Sequence, residues 1–275
     1  MPELKVEAEL KAEAEVAADH RRAMWPWHLA LLGALFLAWY GLTRAEVLSP
    51  FFFGEPLLVV QRLIDWFVSG KIFEHLAVTL FETLAAFAIG TAAGLVVGLW
   101  LALTPFASRL LEPYIIAVNS MPRVILAPIF AVWFGLGMKS KIVLGFTLVF
   151  FIVFFSVYHG VKEVSPVLLD NAKMLGAGRR QLLRRVYLPS ATAWVFSSLH
   201  ASVGMAFVGA VVGEYLGSTH GVGYLILQAE GVFDINSVLA GVLILTLCAI
   251  ALDRTVSVFE RRLLRWRPRS AGQDH

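Results

Sequence analysis

The chain has 275 residues, of which 58% are hydrophobic and only 16% charged, too little polar surface to cover a water-soluble domain of that length. Its net charge is a modest +3 and its basic residues stand beside apolar runs, which excludes a nucleic-acid-binding face. The single cysteine, Cys248, lies inside an apolar run and excludes both an intrachain disulfide and a multi-cysteine metal site.

Apolar runs near 25–42, 77–103, 114–136, 142–158, 191–212 and 238–258 approach the roughly 20 residues that a helix needs to cross about 30 Å of hydrocarbon. They are too long and too continuous for the alternating strands of a membrane barrel. The expected fold class is therefore all-α, a polytopic membrane protein of about six transmembrane helices in contact with membrane lipid.

Residues 1–22 alternate Glu, Ala, Lys and Leu with little apolar face and read as a solvated tail. This stretch is too long and too acidic for the leader of a cleaved signal peptide, so 23–46 is expected as a retained, additional helix. Trp25 and Trp27 at one end, with Trp39 and Tyr40 at the other, suit interfacial belts. Residues 47–74 carry Pro50, Gly54, Pro56 and Gly70 as punctuation around an amphipathic helix at 57–67, expected along the outer membrane surface.

The core is expected over 75–260, with five of the membrane helices. In the second run Gly90, Gly94 and Gly98 recur at every fourth position, a small-residue stripe that lets another helix approach closely. Thr79 and Glu82 near its start are read as facing protein or the outer interface. The third run contains Pro113, Pro122 and Pro128 and the polar residues Asn119, Ser120 and Arg123, which makes it the candidate pore liner. Counting 1.5 Å per residue from Tyr114 places Arg123 roughly 14 Å into the hydrocarbon, where a cation needs a partner or water. Two roles stay open: Arg123 meets a small anion on the translocation path, or it pairs with an acid or with carbonyls freed by Pro122 and Pro128.

After a tight turn at 135–141 and a short fourth run comes the only long polar interval of the hydrophobic part, within 161–189. Ser165 suits a helix cap and Pro166 its first turn, Val167, Leu168 and Leu175 fall near one face, and Gly176 offers a left-handed stop. A second short helix fits 179–187, with Leu182, Leu183 and Val186 as its apolar stripe and arginines over the remainder, until Pro189 interrupts. The fifth run ends in GAVVGEYLGSTHGVGYL, where Gly213, Gly217, Gly221 and Gly223 read as a flexible bend and Glu214 as a candidate path residue. A basic tail follows at 261–275. With the N-terminus inside, 17 of the 23 Lys and Arg fall on inner segments, counting Arg254 at the inner end of the sixth run, so both termini and the 161–189 loop are expected in the cytoplasm.

Within that loop Asp170, Asn171, Ala172, Gly176, Val186, Leu188 and Pro189 keep the spacing of E-A-A, three residues, G, nine residues, I-x-L-P. The stretch resembles the cytoplasmic EAA motif of ATP-binding-cassette import permeases, with Asp for Glu, Asn for the first Ala and Val for Ile. From 75 to 266 the order of the runs, NSMPRVILAPIFAVWFGLG and GEYLGSTHGVGYLI extend the resemblance to the nitrate, sulfonate and taurine import branch.

The resemblance implies a type I ABC importer permease in a bacterial inner membrane. It implies a pair of permeases, expected as a homodimer, two cytoplasmic ATPases and a periplasmic or lipid-anchored solute-binding protein. Ala172, Leu175, Gly176 and Leu182 would then form the docking surface for the ATPase. No cofactor is expected in this chain, because it has no G-x-x-x-x-G-K-[ST] and ATP would bind the partner. No metal-ligand spacing, H-E-x-x-H or G-x-S-x-G occurs either, so no enzyme activity and no nucleic-acid partner are expected. The alternatives are the same importer machinery for a different small organic solute, and an ion-coupled secondary transporter, which would use membrane acids such as Glu82 and Glu214.

Overall fold

The computed structural model describes residues 24–263, and among them it contains helices and turns but no strand. The tail expected over 1–22 and the arginines at 265, 267 and 269 lie outside the described residues. Contacts divide the chain into a unit up to Ile64 and a unit from Asp65 onward. The first holds α1 (Met24–Arg44), long and apolar enough to cross a membrane, the single-turn α2 (Pro50–Phe53) and most of α3 (Pro56–Val68). α1 leaves Trp25, Trp27, Leu31, Leu32 and Leu37 exposed, as a lipid-facing helix does.

The second unit is built on α4 (Lys71–Ala102), α7 (Met138–Lys162) and α10 (Leu188–Leu216), each with a stretch that meets the length and hydropathy of a membrane span. α7 is central, and small residues bring its neighbours onto it. A Cβ added to Gly90, Gly94 or Gly98 of α4 would stand 2.8 Å from Val149, 2.8 Å from the Phe150 carbonyl oxygen and 2.9 Å from the Phe154 carbonyl oxygen of α7. On α7 itself, a Cβ on Gly145 would stand 2.7 Å from that of Ala86. With no side chain at these places the backbones approach closely, and packing contacts replace the hydrophobic drive that lipid does not supply. Ala86, Val149, Val153, Val157 and Ala206 are buried along the seam.

The third run departs from expectation. Instead of one helix over 114–136 there are α5 (Pro105–Asn119), a 3-10 turn (Arg123–Leu126) and α6 (Ala127–Phe134), and the two halves bend by 80°. Pro122 explains the break: without an N–H it cannot answer the Val118 carbonyl, which instead receives Met121 N at 3.3 Å as the chain turns. Pro128 falls in the first turn of α6, where a missing donor costs little, and Pro113 stays inside α5.

α8 (Pro166–Met174) ends in a Schellman arrangement, in which Gly176 has φ +79°, its N–H reaches Lys173 O at 2.9 Å and Ala177 N–H reaches Ala172 O at 2.9 Å. α9 (Arg179–Leu182) then leads through a π-helical turn (Leu183–Tyr187) straight into α10. Pro189 thus does not interrupt the helix as the sequence suggested. The widened turn, with Leu188 N bonding back to Leu183 O, relieves the clash a proline makes with the carbonyl four residues earlier. α11 (Val222–Gly231) and α12 (Ile235–Leu263) complete the unit.

Candidate functional site

The polar interval between α7 and α10 presents an apolar knob. Val167, Leu168, Met174 and Leu175 are exposed, Leu175 at 89%. Gly176 is open, with nothing within 4 Å of an added Cβ. Asp170 pairs with Lys173 at 3.0 Å on the surface, a pair worth little in stability. Asn171 and Pro189 are exposed, Ala172 is half-buried, and so are Leu182, Val186 and Leu188. The free apolar face therefore belongs to α8 and its cap, with Met174 added to the residues expected, while the α9 stripe turns partly inward.

At the break between α5 and α6, Asn119, Ser120 and Pro122 are exposed and Ser120 Oγ donates to Ile116 O at 2.9 Å. Arg123 does not sit in the middle of a straight helix but at the corner. Its Nη2 donates to Asn119 O at 3.0 Å and also to Asn119 Oδ1, and its guanidinium carbon lies 4.3 Å from the centre of the Phe151 ring on α7. The side chain thus takes over the carbonyl that the broken helix leaves without an N–H. Nε is buried without an acceptor, and among the described residues no carboxylate comes within ion-pair distance of it. The positive charge is held in place but not neutralised.

A third constellation lies where α4 and α7 begin and α10 ends. Glu214, the candidate path residue of the fifth run, is fully enclosed and does not face open space. Gly213, Gly217, Gly221 and Gly223 are not a flexible bend either. Added Cβ atoms would stand 2.8 Å from Lys141 at Gly213, 2.8 Å from Leu136 at Gly217, and inside the Glu214 carboxyl group at Gly221. The first three amides of this turn are each claimed by a side chain. Gly221 N donates to His75 Nδ1 at 3.1 Å, Val222 N to Thr79 Oγ1 at 3.0 Å and Gly223 N to Glu214 Oε2 at 2.8 Å. Glu82 and Lys141 are buried beside Glu214. Lys141 was missed in the sequence because it opens an apolar helix directly after a turn, where a lysine ordinarily reaches solvent.

At the opposite end, Lys162 donates to Ser108 Oγ at 3.0 Å and to the Tyr158 hydroxyl, tying α7 to α5. His200 of α10 bridges two acids of α12, Asp253 at 2.8 Å and Glu260 at 2.9 Å.

Residues 90–265 match the family described as binding-protein-dependent transport system inner membrane component. The chain is similar to the taurine transport system permease TauC of Escherichia coli, 29% identical over 90% of this chain and 94% of the relative. It is also similar to the formylaminopyrimidine transport permease ThiX of Halalkalibacterium halodurans, 34% identical over 80% of this chain and 87% of the relative. Its fold is that of a chain in an inward-facing crystal form of the MetNI methionine ABC transporter, with a TM-score of 0.58, 20% identity, and 67% of this chain and 92% of the other covered.

Proposed function

We propose that this chain, which belongs to the family of binding-protein-dependent transport inner membrane components and is a multi-pass permease subunit of an ABC importer, passes a small anionic solute of the sulfonate, taurine or nitrate kind. The observation that carries the reading is Arg123, a fixed cation at the corner of a broken membrane helix whose contacts, Asn119 and Phe151, are both neutral. A half-buried charge with no carboxylate partner favours the approach of an anion, and the exposed Asn119 and Ser120 beside it offer further polar contacts. The path runs past this corner. The 34% identity to a formylaminopyrimidine permease favours a second reading, a solute of that kind, for which Arg123 is a positioning residue of the break alone.

The chain is a transport component rather than an enzyme, and ABC importer permeases work with separate ATPase and solute-binding subunits. In our reading the knob at 166–176 faces the cytoplasm with both termini, in a bacterial inner membrane. It docks on an ATPase that binds the ATP, and a periplasmic or lipid-anchored protein delivers the solute to a homodimer of this chain. Support comes from the basic residues around the knob and from the continuous helical run from Arg179 to Leu216, about 55 Å long at 1.5 Å per residue, which carries displacement without stretching. Uptake by the complete complex tests the solute, with taurine, methanesulfonate, nitrate and a formylaminopyrimidine as competitors and Arg123→Gln as the variant. Competition by the anions, with uptake lost in Arg123→Gln while assembly persists, supports the proposal. A variant that assembles, hydrolyses ATP in response to the loaded binding protein and transports at the normal rate ends the anion role.

A further inference from the structure

Glu82 of α4, Lys141 in the first turn of α7 and Glu214 near the end of α10 form a sealed group, 1%, 1% and 0% exposed. Lys141 directs two of its three N–H groups to backbone carbonyls, Leu136 O and, at 3.1 Å, Gly137 O. Glu214 receives Gly223 N on Oε2. The Thr79 hydroxyl accepts from Val222 N and donates its single proton to the His75 carbonyl oxygen, 3.1 Å from Oγ1. No donor reaches either oxygen of Glu82 or Oε1 of Glu214, and these are three of the six buried side-chain atoms without a partner among the described residues. The Glu82 and Glu214 carboxyl groups lie close enough to act on each other.

With both acids ionised this enclosure would hold two negative charges against one positive, with three carboxylate oxygens unbonded. One proton corrects all of this at once. It brings the sum to zero, and it supplies the O–H that bonds one carboxyl group to the other. Around the pair stand Thr79 from α4, Lys141 from α7 and the Gly223 amide from α11, while His75, one turn before Thr79, holds the Gly221 amide. His75 accepts on Nδ1, so that nitrogen carries no proton, and Glu74 with His220 forms an exposed pair at 3.3 Å further out. No group of three or more His, Cys, Asp or Glu able to hold a metal ion occurs among the described residues.

We propose that Glu82 and Glu214 together bind one exchangeable proton, a buried proton site that keeps the first turn of α11 fastened to α4 and α10. When the proton leaves, repulsion between the two carboxylates acts on Glu214, and the turn wrapped around it is the element that yields. Glu214 stands on the same helical run as α9. The inference is independent of the solute.

Infrared difference spectroscopy and amide hydrogen exchange on the full chain in lipid nanodiscs test it. The proposal expects a protonated-carboxyl band at neutral pH that shifts on deuteration and on glutamate-selective isotope labelling. On alkaline titration that band fades together with protection of the 221–223 amides. Glu82→Gln, in which the amide can donate to Glu214, loses the band and keeps protection at alkaline pH. Absence of the band at neutral pH overturns the site, as does protection that follows sodium concentration at fixed pH, which would mean a bound cation. If Glu82→Gln does not fold, the wild-type titration decides alone: band and protection that fade at different pH values contradict the proposal.

Discussion

Gly209 of α10 crosses Gly145 of α7 with no room for a side chain between them: a Cβ on Gly209 would stand 2.5 Å from the Gly145 Cα. The obstruction is backbone, which cannot rotate away as a side chain can. Gly209→Ala is therefore expected to force the helices apart at a cost of at least about 1–3 kcal/mol, the range for overpacking. Gly204, on the same helix with nothing within 4 Å, is the control. Gly204→Ala should be neutral or stabilising by about 0.5–1 kcal/mol through helix propensity. Thermal unfolding of the two variants in one detergent makes the comparison, and equal melting temperatures would contradict the crossing.

Gly176 separates backbone from bulk. It has open space around it but a φ of +79°, so the obstacle to a side chain there is conformational rather than steric. Gly176→Ala should cost about 1–2 kcal/mol, felt locally at the end of α8. Gly176→Asn, which tolerates the left-handed region, should cost less. Solute-stimulated ATP hydrolysis by the assembled complex should fall in the same order, alanine below asparagine below wild type. Alanine and wild type behaving alike would remove the cap from the docking account.

Leu175 and Met174 are exposed and pack on nothing that their loss would disturb. The double change Leu175→Glu with Met174→Glu should leave the isolated chain within about 0.5 kcal/mol of wild type. It should nevertheless abolish co-purification of the ATPase. Full recovery of the complex would place the docking surface elsewhere.

His200 contacts a carboxylate through each ring nitrogen, and only the imidazolium donates from both. His200→Leu removes two charge-assisted bonds between α10 and α12 and should destabilise by about 1–3 kcal/mol. Asp253→Asn should cost less, since the Asp253 side chain is 60% exposed and solvent screens its pair. Unfolding midpoints unchanged in both variants would show that α10 and α12 are held by packing alone.

Much of this arrangement is legible from local pattern. The glycine stripe at 90, 94 and 98 announces a close helix contact because spacing alone puts the three on one face. Gly176 announces the helix stop because few other residues adopt its φ. What stays hidden depends on partners distant in sequence. Glycines at 213–223 carry the same signal whether they bend freely or press against a neighbour, and only the position of Lys141 and Glu214 decides. Pro122 marks a weak point in the third run, yet the 80° corner depends on α7 standing where Phe151 can receive Arg123. Pro189 misled because a π turn before it absorbs the clash that a sequence rule assigns to the helix. Glu82 and Lys141 look like unrelated polar residues near helix ends until α4 and α7 are packed together.

The central claim is that the knob on α8 faces the cytoplasm and meets the ATPase. Cys248 is the chain's only cysteine, so Leu175→Cys in a Cys248→Ala background gives a single thiol at the knob. The measurement is labelling of that thiol by a membrane-impermeant maleimide in intact and in opened cells, followed by thiol cross-linking to the co-expressed ATPase. The account predicts labelling only after the inner face is opened and a cross-link to the ATPase that bound nucleotide alters. Labelling in intact cells, or a thiol that is reached from inside but never joins the ATPase in an assembled complex, would contradict it.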